Sequence, residues 1–99
     1  MKELFTSSTI IQRNESGFLA SNLGNETVMM NLDNGDYLGL NSVASDIWKI
    51  LKEPIALENL YAQIIHMYDV TEDQCKLAVN NFLMKLSEQK MLVIHNTIE

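Results

Sequence analysis

Asn34-Gly35 stands between two apolar runs, Val28-Met29-Met30 and Tyr37-Leu38-Gly39-Leu40, and directly after Leu40 the hydrophobic period changes from that of a strand to that of a helix. Asn-Gly between apolar runs is the strongest short-range hairpin signal, because a two-residue type I′ turn needs positive φ at both central positions. A hairpin closed on those two residues sets Leu32 opposite Tyr37 and Met30 opposite Gly39. Side chains alternate along a strand, so Val28, Met30, Leu32 and Tyr37 share one face and Met29, Leu38 and Leu40 the other. The expectation is that the Val28, Met30 and Leu32 face packs on the helices. Two earlier turn signals, at residues 14–17 and 22–25, mark off strands at 9–13 and 18–21. Residues 9–40 thus read as strand and turn.

Residues 42–90 carry the helical period. Asn41 or Ser42 caps a first helix running to about Lys52, with Val43, Ala44, Ile47, Trp48 and Leu51 on one stripe, and Pro54 ends it. A second helix over 57–68 places Leu57, Leu60, Tyr61, Ile64, Ile65 and Tyr68 on one face. Its N-cap is Ala56, a poor cap, so this end is expected to fray. Thr71-Glu72-Asp73-Gln74 fits a capping box and opens a third helix, which carries Cys75, Val79, Phe82, Leu83 and Leu86 on one face to about Gln89. Leu77 and Met84 form a second apolar line on it, a hint of a contact surface. Met91-Leu92-Val93-Ile94 closes the pattern. The prediction is an α+β fold in one domain over 1–99: an N-terminal three-stranded antiparallel sheet at about 9–40, then a three-helix bundle at about 42–90.

The chain is acidic, with 7 Lys+Arg against 13 Asp+Glu and a net charge of −6. Residues 1–50 hold 3 positive and 6 negative groups and residues 51–99 hold 4 and 7, so each half sits at −3. An evenly negative surface is unsuited to a phosphate backbone or an anionic membrane, both of which call for clustered Lys and Arg. No apolar run approaches the roughly 20 residues that span a bilayer. The N-terminus lacks the apolar core of a signal peptide, and the expected location is the cytoplasm. Large catalytic scaffolds such as the (β/α)₈ barrel, at about 250 residues, are excluded by length.

Catalytic and metal-binding patterns are weak. His66 lies off the apolar stripe of its helix and His95 near the C-terminus, and no His-x-x-x-His or Cys/His cluster occurs. Cys75, the single cysteine, sits on an apolar stripe with no His at i±3 or i±4 to act as its base, and reads as a packed thiol. Asp33 and Asp36 flank the turn without the ligand spacing of a calcium loop. The six Met read as core filler. No cofactor is expected.

The sheet edge is more informative. In a meander, the strand at 36–40 has one neighbour and leaves a row of N–H and C=O groups open. Natural edges are guarded by Lys, Pro or a bulge, yet Asp36-Tyr37-Leu38-Gly39-Leu40 has one charge, at its start, and no Pro. Gly39 removes a side chain where another backbone could come close. Such an edge suits a guest peptide that adds a strand, and equally the protein's own N-terminus or a second copy. A sheet followed by three helices and a final strand also resembles a winged helix-turn-helix. Residues 71–90, however, sum to zero charge (Lys76, Lys85 and Lys90 against Glu72, Asp73 and Glu88) and hold no Arg, which is unfavourable for DNA.

Taken in order, Asp33-Asn34-Gly35-Asp36-Tyr37-Leu38-Gly39-Leu40-Asn41, Ala44-Ser45-Asp46-Ile47-Trp48-Lys49-Ile50-Leu51, Tyr68-Asp69-Val70 and Val79-Asn80-Asn81-Phe82-Leu83-Met84-Lys85-Leu86 resemble the PqqD family, over about residues 26–94. These are recognition elements for ribosomally made, modified peptides. The resemblance implies a winged helix-turn-helix fold in which the leader segment of a precursor peptide docks as an added antiparallel strand. It implies no chemistry by this chain, which would hold the leader for separate enzymes. The implied peptide-binding residues are Tyr37, Leu38, Gly39 and Leu40 from the strand, with Cys75, Lys76, Val79, Asn80 and Leu83 from the third helix. Many relatives carry an acidic residue where Ala78 stands, and often Ser or Thr in place of Ala56. The N-terminal extension with Gly17-Phe18-Leu19 and the Ala44-x-x-Ile47-Trp48 helix look most like the recognition proteins of lasso-peptide clusters, where a separate leader protease and a cyclase are the partners. Other modified-peptide or quinone-cofactor pathways, and a DNA-binding regulator, are the alternatives. A net charge of −6 favours a leader with basic residues.

Overall fold

Residues 8–24 and 26–95 are described by the structure, a computed structural model. Strands β1 (Ile10–Arg13), β2 (Phe18–Leu23), β3 (Glu26–Asn31) and β4 (Tyr37–Leu40) precede helix α1 (Ser42–Ile50). A two-residue strand β5 (Ile55–Ala56) leads into α2 (Leu57–Tyr68), followed by α3 (Glu72–Glu88) and β6 (Leu92–His95). The fold is α+β, as expected, but its strands form two antiparallel three-stranded sheets, ordered β5-β1-β6 and β2-β3-β4. Residues 10–13 therefore leave the expected N-terminal sheet. Ile11, fully buried, pairs with Ile55 on one side and Ile94 on the other. The partners of β1 are more than forty residues away along the chain, out of reach of a reading based on neighbouring segments.

The helix boundaries follow local chemistry. The Asn41 side chain accepts from the Ala44 amide and caps α1. Thr71 and Gln74 make the reciprocal bonds of a capping box at α3. Ala56 gives α2 no side-chain cap, yet that end is tied down: the Leu57 amide donates to the carbonyl of Thr9, just before β1, at 2.9 Å, an acceptor that the cap side chain lacks. At the end of α3, Lys90 takes a left-handed conformation (φ 61°), with the Met91 amide bonded to the Leu86 carbonyl at 2.8 Å and the Lys90 amide to the Ser87 carbonyl at 3.1 Å. This is a Schellman ending, with Lys in the place usually held by Gly.

The hairpin differs from expectation in register and in orientation. Met30 pairs with Tyr37, Met29 with Leu38, Val28 with Gly39 and Thr27 with Leu40. The turn is two residues longer than an Asn34-Gly35 type I′ turn, because Asn31 organises it. The Asn31 amide donates to the Asp36 carbonyl, its own carbonyl accepts from the Gly35 amide, and its side chain accepts from the Asp33 amide. Gly35 has positive φ and Asn34 does not. The two faces partition as expected, but the inner face is the opposite one. Met29 and Leu40 are buried with Thr27 and Asn31, while Leu32 is 53% exposed and Tyr37 72%. Polar residues can face inward here because each has a partner. Thr27 bonds Asn22 and Ser45, and the Asn31 side-chain amide donates to the Gln89 carbonyl and to its Oε1.

The core lies between the sheets and the helices: Ile47, Trp48 and Leu51 of α1 and its cap, Leu57, Leu60, Tyr61 and Ile64 of α2, and Cys75, Val79, Phe82, Leu83 and Leu86 of α3. Phe18 meets Trp48 edge-on at 5.3 Å, and the Arg13 guanidinium lies 5.0 Å from the same ring. No described helix is long and apolar enough to cross a membrane.

Candidate peptide-binding site

Hydrogen bonds at both ends of the strand set the position of the β4 edge. The Asn31–Gln89 contact ties the C-terminal end of α3 to the turn before β4. At the other end of the strand, the Ser45 hydroxyl donates to the Leu40 carbonyl at 3.2 Å and the Ser45 amide to the Asn41 carbonyl at 2.8 Å. Between these ties, β4 and α3 flank a cleft of about 260 Å³. Leu38 and Gly39 line it from β4, Val43, Ala44 and Ile47 from α1, and Ala78, Phe82 and Lys85 from α3, with Asn41 at the corner.

The alternation of an antiparallel ladder shows which backbone groups are open. The bond from Asn31 to Asp36 fixes that pair as hydrogen-bonded, and with it Met29–Leu38 and Thr27–Leu40. Leu38 and Leu40 therefore spend their N–H and C=O groups on β3, and those of Tyr37 and Gly39 point out of the sheet. Independently, the Leu32 amide donates to the Gly17 carbonyl, which assigns Val28 and Met30 to β2 and leaves Thr27, Met29 and Asn31 for β4. The two assignments agree.

The residues expected in the groove separate by depth. Tyr37 and Gly39 are exposed, Leu38 is half-buried and Leu40 is buried. Val79 and Leu83 are fully buried and Cys75 is 1% exposed, so they support the cleft from within and offer it no surface. Lys76 and Asn80 turn toward α2. Lys76 Nζ lies 3.1 Å from Glu72 and 5.7 Å from the Tyr61 ring, and the Tyr61 hydroxyl donates to Asn80 at 2.6 Å. The helix face that meets β4 is the neighbouring stripe Ala78, Phe82 and Lys85, at i, i+4 and i+7. That spacing is visible in the sequence, but it lies one step round from the more apolar line that signals the core. A Cβ at Gly39 would meet nothing within 4 Å, so within this chain the edge is open at that position.

Burial, and then the Glu72 carboxylate, push the Cys75 thiol up, opposed in part by Lys76, and its Sγ donates to the Tyr61 carbonyl. The bond to Glu72 raises Lys76. His95 Nε2 meets Gln12 Oε1 at 3.0 Å, and His66 is exposed in the last turn of α2. Among the described residues no three His, Cys, Asp or Glu gather as metal ligands. A larger cleft of about 350 Å³ sits between the β2–β3 turn and α1, but none of its lining residues is apolar, and Glu26, Asp46 and Lys49 mix both signs of charge there.

Two comparisons with known proteins bear on the fold and the family. The fold matches the structure of TbiB1 in complex with the TbiA(beta) leader peptide, with a TM-score of 0.70 and 26% identity over 82% of this chain and 93% of that one. No curated protein matches. Residues 26–92, which run from the start of β3 into β6 and take in the whole cleft, match the family described as coenzyme PQQ synthesis protein D. The chain is a member of the PqqD family.

Proposed function

We propose that this protein is a single, non-enzymatic recognition domain that binds the leader segment of a ribosomally made precursor peptide as a strand added to β4. The observation that carries the reading is an open strand edge facing an apolar cleft, in a chain similar to a protein solved with its leader peptide. The guest's main chain would bond to the N–H and C=O groups of Tyr37 and Gly39, each bond contributing about 1 kcal/mol net. A docked segment of about five residues covers about 17 Å of edge. One of its apolar side chains, seated over Leu38, Ala78 and Phe82, adds on the order of 2 kcal/mol. Cys75, Val79 and Leu83 hold that stripe of α3 in place, and Lys76 and Asn80 fix α3 to α2.

In this reading the β2-β3-β4 sheet is the wing of a winged helix-turn-helix, and the domain presents the leader in the cytoplasm to a separate protease and cyclase of a lasso-peptide pathway. The N-terminal extension containing β1 and β2, outside the family match, favours that subtype over other modified-peptide or quinone-cofactor pathways. The test is a fluorescence-anisotropy titration with the labelled leader segment of the precursor encoded beside this gene, with a scrambled peptide and a DNA duplex as controls. Saturable binding of the leader alone is expected. Binding of the duplex, falling steeply with salt, would identify a DNA-binding regulator instead.

A further inference from the structure

The charge of the cleft is opposite in sign to the charge of the protein. The chain carries −6 overall, but the cleft is lined by one charged side chain, Lys85, and by no acidic one. Lys85 is exposed. The ion pairs among the described residues are Arg13–Glu15 and Lys76–Glu72, and Lys85 belongs to neither. Of the three lysines on residues 71–90, then, Lys76 is bound to Glu72, whereas Lys85 faces the space a guest strand would fill.

Position along the cleft follows from the ties already described. Gln89 bonds Asn31 beside the start of β4, and Ala78 lines the cleft together with Val43 and Ala44. Going from Ala78 to Lys85 therefore means going from the α1 end of the cleft toward its Tyr37 end. Seven helical residues advance about 10 Å, and same-face side chains of a strand recur about every 7 Å. A guest side chain one or two same-face positions beyond the residue over Ala78 comes to Lys85.

Resting on the peptide-recognition reading, the geometry points to Lys85 as a specificity residue that selects a guest peptide with an acidic side chain at the Tyr37 end of its docked strand, next to an apolar residue over Ala78 and Phe82. For a guest antiparallel to β4, that end is its C-terminal one. A basic guest residue is favoured by the protein's distant field and disfavoured at this position.

Short random peptides displayed on phage, sorted in parallel against the wild-type protein, Lys85→Glu and Lys85→Gln, test this. Lys85 is exposed, and circular dichroism is the check that each variant keeps the wild-type fold. Wild type is expected to enrich Asp or Glu at one position beside an apolar one, Lys85→Glu to enrich Lys or Arg there, and Lys85→Gln to show no charge preference. A wild-type-selected acidic peptide should bind Lys85→Glu about tenfold more weakly, recover when its acid is changed to Lys, and lose most of the difference at high salt. The same apolar pattern selected by all three proteins, with no charge preference, overturns the role of Lys85 and leaves strand recognition standing. Selected peptides that bind an Ala78→Trp variant, with the cleft filled, as well as wild type overturn the recognition reading and this inference with it.

Discussion

The β2-β3-β4 sheet has two edges among the described residues, and they differ in what lies beside them. β2 is the longer, with six residues against four, and all but Phe18 are exposed. By the same alternation that frees Tyr37 and Gly39 on β4, it opens the backbone of Phe18, Ala20 and Asn22. If hydrogen-bonding capacity alone made a binding site, β2 would be the better one. Beside β4 stands α3, held by the Asn31–Gln89 bond at a distance that leaves an apolar cleft. Main-chain bonds exchange protein partners for water and yield little net energy. A strand edge becomes a site where a neighbouring surface also buries the guest's side chains.

The strongest way to break this comparison is to remove the support under α3. Leu83→Glu places a charge in a fully buried position, which costs several kcal/mol, and a thermal melt should show loss of the cooperative transition. A Leu83→Glu protein that stays folded and loses only peptide binding would put Leu83 in the cleft rather than the core. Next in size, Ala78→Trp fills the cleft from its exposed wall. The melt should be unchanged, while leader affinity falls about 30-fold, the equivalent of one apolar side chain denied burial. Unchanged affinity would move the site away from α3.

The third test sets the two edges directly against each other. Gly39→Pro deletes an outward donor on β4 and Ala20→Pro deletes one on β2, both at positions where an edge strand accommodates proline. Titration should show a loss of about fivefold for the first and none for the second; the reverse order would identify β2 as the docking edge. The smallest effect concerns the frame behind the β4 edge. The Tyr68 hydroxyl donates to Asp46, joining α2 to the helix that follows β4, and this bond, with burial and the carboxylate's charge, raises the tyrosine above its usual value near 10. Because the folded value is the higher one, the bond's contribution is complete below pH 10 and lost as the pH rises through the folded value. Chemical denaturation across that window should show a steeper loss of stability for wild type than for Tyr68→Phe.

Much of the frame was legible because it rests on local chemistry. Pro54, the Thr71-Gln74 box and the 3.6-residue period of 57–68 place the helices within a residue or two of where they lie. The β4 edge was legible from its lack of guards. Besides the pairing of β1 with β5 and β6, three things were not. The inner face of β3 carries Thr27 and Asn31, whose polar groups are satisfied by Ser45 and by Gln89, which is distant in sequence, so hydrophobicity pointed to the wrong face. The hairpin register depended on side-chain bonds of Asn31 that compete with the Asn-Gly turn signal. The stripe of α3 that lines the cleft lies about one step round from the one the sequence singles out, because the most apolar stripe of a helix is the one the core takes.

Pairing of β1 with β6 matches Ile10 with His95, so that sheet closes across 95 − 10 = 85 residues. The β2-β3-β4 meander, by contrast, links neighbours along the chain. The entropic cost of closing a loop grows with its length, and distant pairings slow folding. The order of assembly that follows is meander and helices first, β1 last. Ile11→Ala, at a fully buried β1 position, should then speed unfolding and leave the refolding rate nearly unchanged in stopped-flow measurements. Until β1 docks, the β4 edge is already formed, so two half-made copies would join along it, and refolding yield should fall with protein concentration.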